Sequence, residues 1–92
     1  MSVEEVFKIY DKYADENGKV DKEGFDAFLR ELESKGYYVA VGGRKKSDLK
    51  ESAFEFEVTV KKGSKTVCNL LAIEYEEDGK KYIELPGLGL SD

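Results

Sequence analysis

Side chains able to do chemistry are few in this 92-residue chain, and they fall into three groups. The first is a set of oxygen donors in one short polar stretch, Asp15, Asn17 and Asp21. Alternating oxygen donors of this kind suit a hard cation such as calcium, which takes six to eight oxygens at about 2.3 to 2.6 Å. The second is the basic run Arg44, Lys45, Lys46 and Lys50 behind Gly42 and Gly43, where cationic side chains and glycine amides together can grip phosphate. The third is two pairs of carboxylates, Glu55 with Glu57 and Glu74 with Glu76, which share a face at strand spacing. Such pairs can support acid-base work, and they are equally the ordinary dress of a solvated sheet face.

What is missing narrows the chemistry further. There is no histidine and a single cysteine, which removes the usual ligands for zinc, copper or haem and every Ser-His or Cys-His arrangement. Cys68 lies among aliphatic residues in a strand-like run and reads as a small packed hydrophobe. No phosphate-binding glycine loop or nucleophile elbow is present, so the expectation is a protein that is not an enzyme. The net charge is −5, unevenly spread: residues 1–34 hold ten acids and five bases, residues 35–65 four acids and eight bases, and residues 66–92 six acids and two bases. Overall acidity, Asp48 and Glu51 within the basic run and the lack of an aromatic there argue against nucleic acid as the main partner.

The stretch from Val3 to Leu32 resembles an EF-hand, the helix-loop-helix calcium module. The likeness rests on Asp15-Glu16-Asn17-Gly18-Lys19-Val20-Asp21 between two Phe- and Tyr-bearing helical segments. With Gly18 at the sixth loop position, Asp15, Asn17 and Asp21 take positions three, five and nine, and Val20 the apolar position eight. The resemblance implies a calcium site on Asp15, Asn17 and Asp21. In the same register Tyr13 and Gly24 occupy the first and twelfth positions, where the family carries carboxylates. A metal-free reading explains the same residues: Asp21 as a helix N-cap, Val20 and Phe25 as a hydrophobic staple, and Asn17-Gly18 as a turn.

The elements that must position these groups follow from periodicity. Val3, Val6, Phe7, Tyr10, Tyr13 and Ala14 form a helical stripe, with Ser2 and Glu5 spaced as a capping box. A second stripe, Phe25, Phe28, Leu29 and Leu32, predicts a helix over 22–35 closed by Gly36. The period then changes to two. Strands are predicted at Tyr37 to Val41, ending at Gly42-Gly43, then at Phe54 to Lys61, Thr66 to Glu76 and Tyr82 to Leu85, with a type I′ turn at Asp78-Gly79. Arg44 to Ser52 reads as a polar connection. The expectation is one α+β domain over 1–92: a helical hairpin (3–35) on one face of a four-stranded antiparallel sheet (37–85) in the order 1-2-3-4, ααββββ, followed by a tail at 86–92.

That arrangement directs attention to surfaces. The third predicted strand is apolar on both sides, with Val67, Leu71, Ile73 and Tyr75 on one and Cys68, Leu70 and Ala72 on the other. The row away from the helices then needs a cover, which Leu85, Leu88 and Leu90 or a partner can supply, and a bulge at Asn69-Leu70 would change the facing. The first predicted strand is an edge, and Tyr37, Tyr38, Val39 and Val41 carry none of the charges or prolines that blunt edges. The leading expectation is therefore a small acidic protein-binding module, an adaptor or inhibitor, that pairs with a protein partner or a second copy through this edge. The acidic N-terminus lacks a leader-like apolar run, the longest apolar-rich stretch falls far short of a spanning helix, and one cysteine needs no oxidising compartment, so the expected location is cytoplasmic.

Overall fold

The helical stripes dock as their spacing dictates. In a computed structural model, which describes residues 2–48 and 50–85, α1 (Ser2–Tyr13) and α2 (Lys22–Ser34) lie against one face of a sheet. Val6, Ile9 and Tyr10 of α1 and Phe25, Phe28 and Leu32 of α2 are buried in the common core. The capping role expected of the Ser2 side chain lies outside the described residues.

The strands are β1 (Lys19–Asp21), β2 (Tyr38–Lys46), β3 (Phe54–Lys62), β4 (Lys65–Glu77) and β5 (Lys80–Glu84). They form one antiparallel sheet in the order β1-β5-β4-β3-β2. The α+β class is as expected. The four-stranded count is corrected to five: Lys19-Val20-Asp21 leaves the interhelical turn as a short strand against β5, with Val20 opposite Ile83, giving αβαββββ. The four expected strands keep their mutual order, and β1 adds itself beyond the last.

Two further corrections concern strand details. Gly42-Gly43 does not end β2, which runs on to Lys46 through a bulge between Gly42 and Lys45. Gly43 sits at φ +72°, a conformation that lets the extra residue be absorbed without a Cβ penalty. In β4 the irregularity falls beside Val67, not at Asn69-Leu70, because Val60 opposes Cys68 while Lys61 opposes Thr66. Val67 thereby turns to the helix side and packs against the main core with Cys68. The expected turn at Asp78-Gly79 is present, with positive φ at both residues (54° and 79°).

Register sorts the remaining side chains. Phe56, Val58, Val60, Leu70, Ala72 and Ile83 face the helices, and Phe25 meets Phe56 edge-on at 6.1 Å. On the opposite face Ile73 and Tyr75 form a smaller cluster with Ala53 and Tyr82. Its cover comes from the β2–β3 connection, through Ala53 and through Lys50, whose ammonium stands 4.3 Å from the Tyr75 ring centre. Of the leucines expected to serve there, Leu85 is instead buried in the main core, and Leu88 and Leu90 lie outside the described residues.

One core tyrosine ties the layers together. Tyr10 is buried, its hydroxyl donates to the Gly18 carbonyl at 2.5 Å, and its ring meets Phe28 edge-on. Burial first, and then the charge of Glu84, push its pKa above the ordinary 10.0. The unfolded chain therefore releases this proton first as pH rises, so the contribution is whole below about pH 10 and is lost progressively above it. Tyr10→Phe is expected to flatten the alkaline limb of the stability profile while lowering stability at neutral pH by about 1 kcal/mol for the lost hydrogen bond. Urea midpoints at pH 7 and above pH 10 measure both; an unchanged alkaline slope contradicts the assignment.

Candidate functional site: the free edge of the sheet

β2 is the last strand in the sheet order, bonded to β3 on one side only. Pairing sets the direction of its side chains. Val39 and Val41 oppose the buried Val60 and Val58 and so lie on the helix side; Tyr38 and Ala40 oppose Lys61 and Thr59 on the other face. Exposure separates the members of the expected site. Tyr38 is 63% exposed and Val41 52%, the two most exposed large hydrophobics among the described residues, while Val39 is half-buried against the core. Tyr37 stands just before the strand and is buried, with its hydroxyl donating to Glu5 at 2.5 Å. It anchors the start of the edge beneath α1 and does not present itself on the edge.

The basic residues are dispersed by the same geometry. Arg44 turns to the helix side, 3.6 Å from the buried Glu74 carboxylate and with its guanidinium 4.4 Å from the Phe54 ring centre. Lys45 opposes Glu55 on the other face, Lys46 opposes Phe54, and Lys50 lies over Tyr75. They make a basic end to the edge strand rather than one cradle. Phe54, 39% exposed, together with Val41 extends the apolar surface beside this end. Sequence periodicity marks Phe54 as a core residue, and only the limited reach of the two helices leaves it at the margin.

Of the calcium-type residues, Asp15 and Asp21 have their side chains engaged locally. Asp15 Oδ1 accepts from the amides of Asn17 (2.8 Å) and Lys19 (3.0 Å), and these bonds, that of Lys19 foremost, hold its pKa below the ordinary carboxylate value. Asp21 Oδ1 caps α2 by accepting from the Gly24 amide at 2.7 Å, which is the main cause of its lowered pKa; Oδ2 lies 3.4 Å from the Lys80 ammonium. The exposed Asn17 enters this turn through its backbone amide, which bonds Asp15. Among the described residues no three Asp, Glu or Cys side chains come together as a metal-holding group. Sequence reading missed the Tyr10–Gly18 bond and the β1–β5 pairing, which fix this loop from outside it.

Glu55 and Glu57 lie on the face away from the helices, Glu74 is buried beside Arg44 and Glu76 is exposed. Burial pushes the Cys68 thiol pKa up, which leaves it a poor nucleophile. Among the described residues no helix is long and apolar enough to cross a membrane. Comparison with known proteins gives no matching family model, no matching curated protein and no matching solved structure.

Proposed function

We propose that this protein is a non-catalytic protein-binding module, an adaptor or inhibitor, that engages its partner through the β2 edge, with the acidic helical surface steering the approach. The observation that carries the reading is a lateral strand edge whose two most exposed apolar side chains, Tyr38 and Val41, sit on opposite faces within four residues. An incoming strand gains main-chain hydrogen bonds from such an edge and grips side chains above and below it. Tyrosine suits the role because it offers contact area with a polar tip at low conformational cost. The ten acids of residues 1–34 against five bases give long-range attraction toward a basic partner. A single cysteine needs no oxidising compartment, which supports action in the cytoplasm.

The test uses the double substitution Tyr38→Lys with Val41→Lys, which adds the charges that natural edges use for protection. Both sites are exposed, so stability is expected to stay within about 1 kcal/mol of the parent. Affinity capture from the native host is expected to retain a specific partner on the parent and to lose it at least about tenfold on the variant, a loss of about 1.4 kcal/mol in binding. Equal retention by both proteins refutes the reading.

A further inference from the structure

We infer that the cavity beside the β2 bulge is a subsite for a long cationic side chain, arginine before lysine, borne by the strand that adds to this edge. This inference rests on the reading of β2 as a binding edge and names the chemistry of its partner. That partner is an extended segment, apolar where it faces Val39 and Val41 and basic where it faces Gly42.

The register assembles the subsite from three strands. Gly42 of β2 stands opposite Glu57 of β3, and Glu57 opposite Leu71 of β4; in the next row Lys45 stands opposite Glu55. These residues lie on the face away from the helices. Where the register shifts between Gly42 and Lys45, a shallow cavity of about 490 Å³ is lined by Gly43, Lys45, Glu55, Phe56, Glu57 and Leu71. Leu71, 37% exposed, gives it an apolar wall, and Gly42 stands between Glu57 and the free side of β2.

Access and charge both fit this place to a cation arriving from the side. A residue opposite Gly42 on an added strand points to the same face as Gly42. No atom lies within 4 Å of where a Cβ of residue 42 would stand, so a long side chain can cross Gly42 to reach Glu57. Elsewhere Glu31, Glu74, Glu77, Asp21 and Asp26 are each paired with a lysine or arginine. Among the described residues the Glu55 and Glu57 carboxylates have no ion pair and accept no hydrogen bond. Lys45 is the base among the lining residues, so two carboxylates face one ammonium and the balance is negative. Lys61, on the same face, opposes Tyr38 at the other end of the uncharged segment. Arginine is preferred because its flat guanidinium offers donors along more than one edge and can meet both carboxylates, whereas lysine brings a single point charge. Glu55 is half-buried and Glu57 exposed, so the gain is moderate and screened by salt.

The probe is a cyclised β-hairpin peptide whose outer strand alternates valine with threonine and carries one arginine on the threonine side. Titrated into the full chain, it is expected to shift the backbone amide resonances of residues 38–42 together with those of Glu55 and Glu57. Citrulline in place of the arginine keeps the shape and removes the charge, and is expected to weaken binding about threefold to tenfold. Glu57→Gln should weaken the arginine peptide to a similar degree and leave the citrulline peptide unaffected, while Lys45→Gln should tighten the arginine peptide. Gly42→Leu, whose side chain has open space in the free protein, should leave the urea midpoint near that of the parent and erase the preference for arginine. Glu57→Lys should reverse the preference toward a peptide with glutamate at that place. Equal affinity for the arginine and citrulline peptides, indifference to Glu57→Gln, or no shift at Glu57 with any peptide overturns the inference. If the peptides shift the β2 amides equally, the subsite falls and the edge reading stands. If none shifts them and capture from the host is indifferent to Tyr38→Lys with Val41→Lys, both fall.

Discussion

Phe28→Ala is expected to lower the unfolding free energy by about 3 to 5 kcal/mol, the range for emptying a fully buried aromatic site. Phe28 has no exposed surface, and its ring sits at the junction of the two helices, 5.1 Å from Tyr10 edge-on and 5.9 Å from Phe25. Neither neighbour is free to close the hole. Tyr10 is held by its bond to Gly18, and Phe25 is committed to Phe56 across the layer. A domain this size has about 5 to 15 kcal/mol in all, so the loss consumes a large part of it, and the melting midpoint should fall on the order of 20 °C. Phe54→Ala is the control. Being 39% exposed at the margin, Phe54 is expected to contribute about 1 kcal/mol or less. Equal losses at the two positions would mean that the helices do not meet the sheet as described.

Gly24→Glu is the second large effect, and its sign runs against helix propensity. Glutamate is favoured at the third helical position after a capping residue and forms helix better than glycine by about 1 kcal/mol. A Cβ at residue 24, however, would stand 2.7 Å from Val20 Cγ2 and 3.0 Å from Asp21 Oδ1. Val20 cannot give way, since it is buried and paired opposite Ile83, and moving Asp21 opens the cap of α2. Overpacking costs about 1 to 3 kcal/mol and a lost cap about 1 more, so a net destabilisation of about 1 to 3 kcal/mol is expected in urea titrations. The same substitution introduces a carboxylate at the place where an EF-hand carries one. Millimolar calcium is expected not to raise the variant's melting midpoint, because Asp21 Oδ1 is already bonded to the residue-24 amide and Asp15 Oδ1 to two others. A calcium-dependent rise would reinstate the metal reading of the loop.

How far the chain could be read from its residues depends on how many neighbours of each element are local. Both helices were legible because their apolar stripes repeat every three or four residues over three turns. β3 and the Asp78-Gly79 hairpin were legible for the same reason, strict alternation in one and a characteristic dipeptide in the other. β1 was not. Its three residues carry a cap and a staple whose local meaning is complete, and only Ile83, more than sixty positions away, makes them a strand. The extension of β2 was hidden by a glycine pair that ordinarily stops a strand and here makes a bulge. Of the candidate edge, its lateral position followed from the expected strand order, whereas the exposure of Val41, in one alternating row with Tyr37 and Val39, did not. The burial of Tyr37 did not, since two adjacent tyrosines look alike until α1 brings Glu5 over one of them.

The side of the sheet away from the helices carries its charges over aromatic rings. Lys19 lies 4.4 Å from the Tyr82 ring centre, Lys50 lies 4.3 Å from that of Tyr75, and Lys19 and Lys80 also reach Glu77 and Asp21. Face-to-face lamination brings two sheets to about 10 Å, which would strip water from these ammonium groups at a cost that their ion pairs and ring contacts offset only in part. Stacking a second sheet on this face is therefore costly, and the ring-borne ammonium groups act as the face's own guard against lamination.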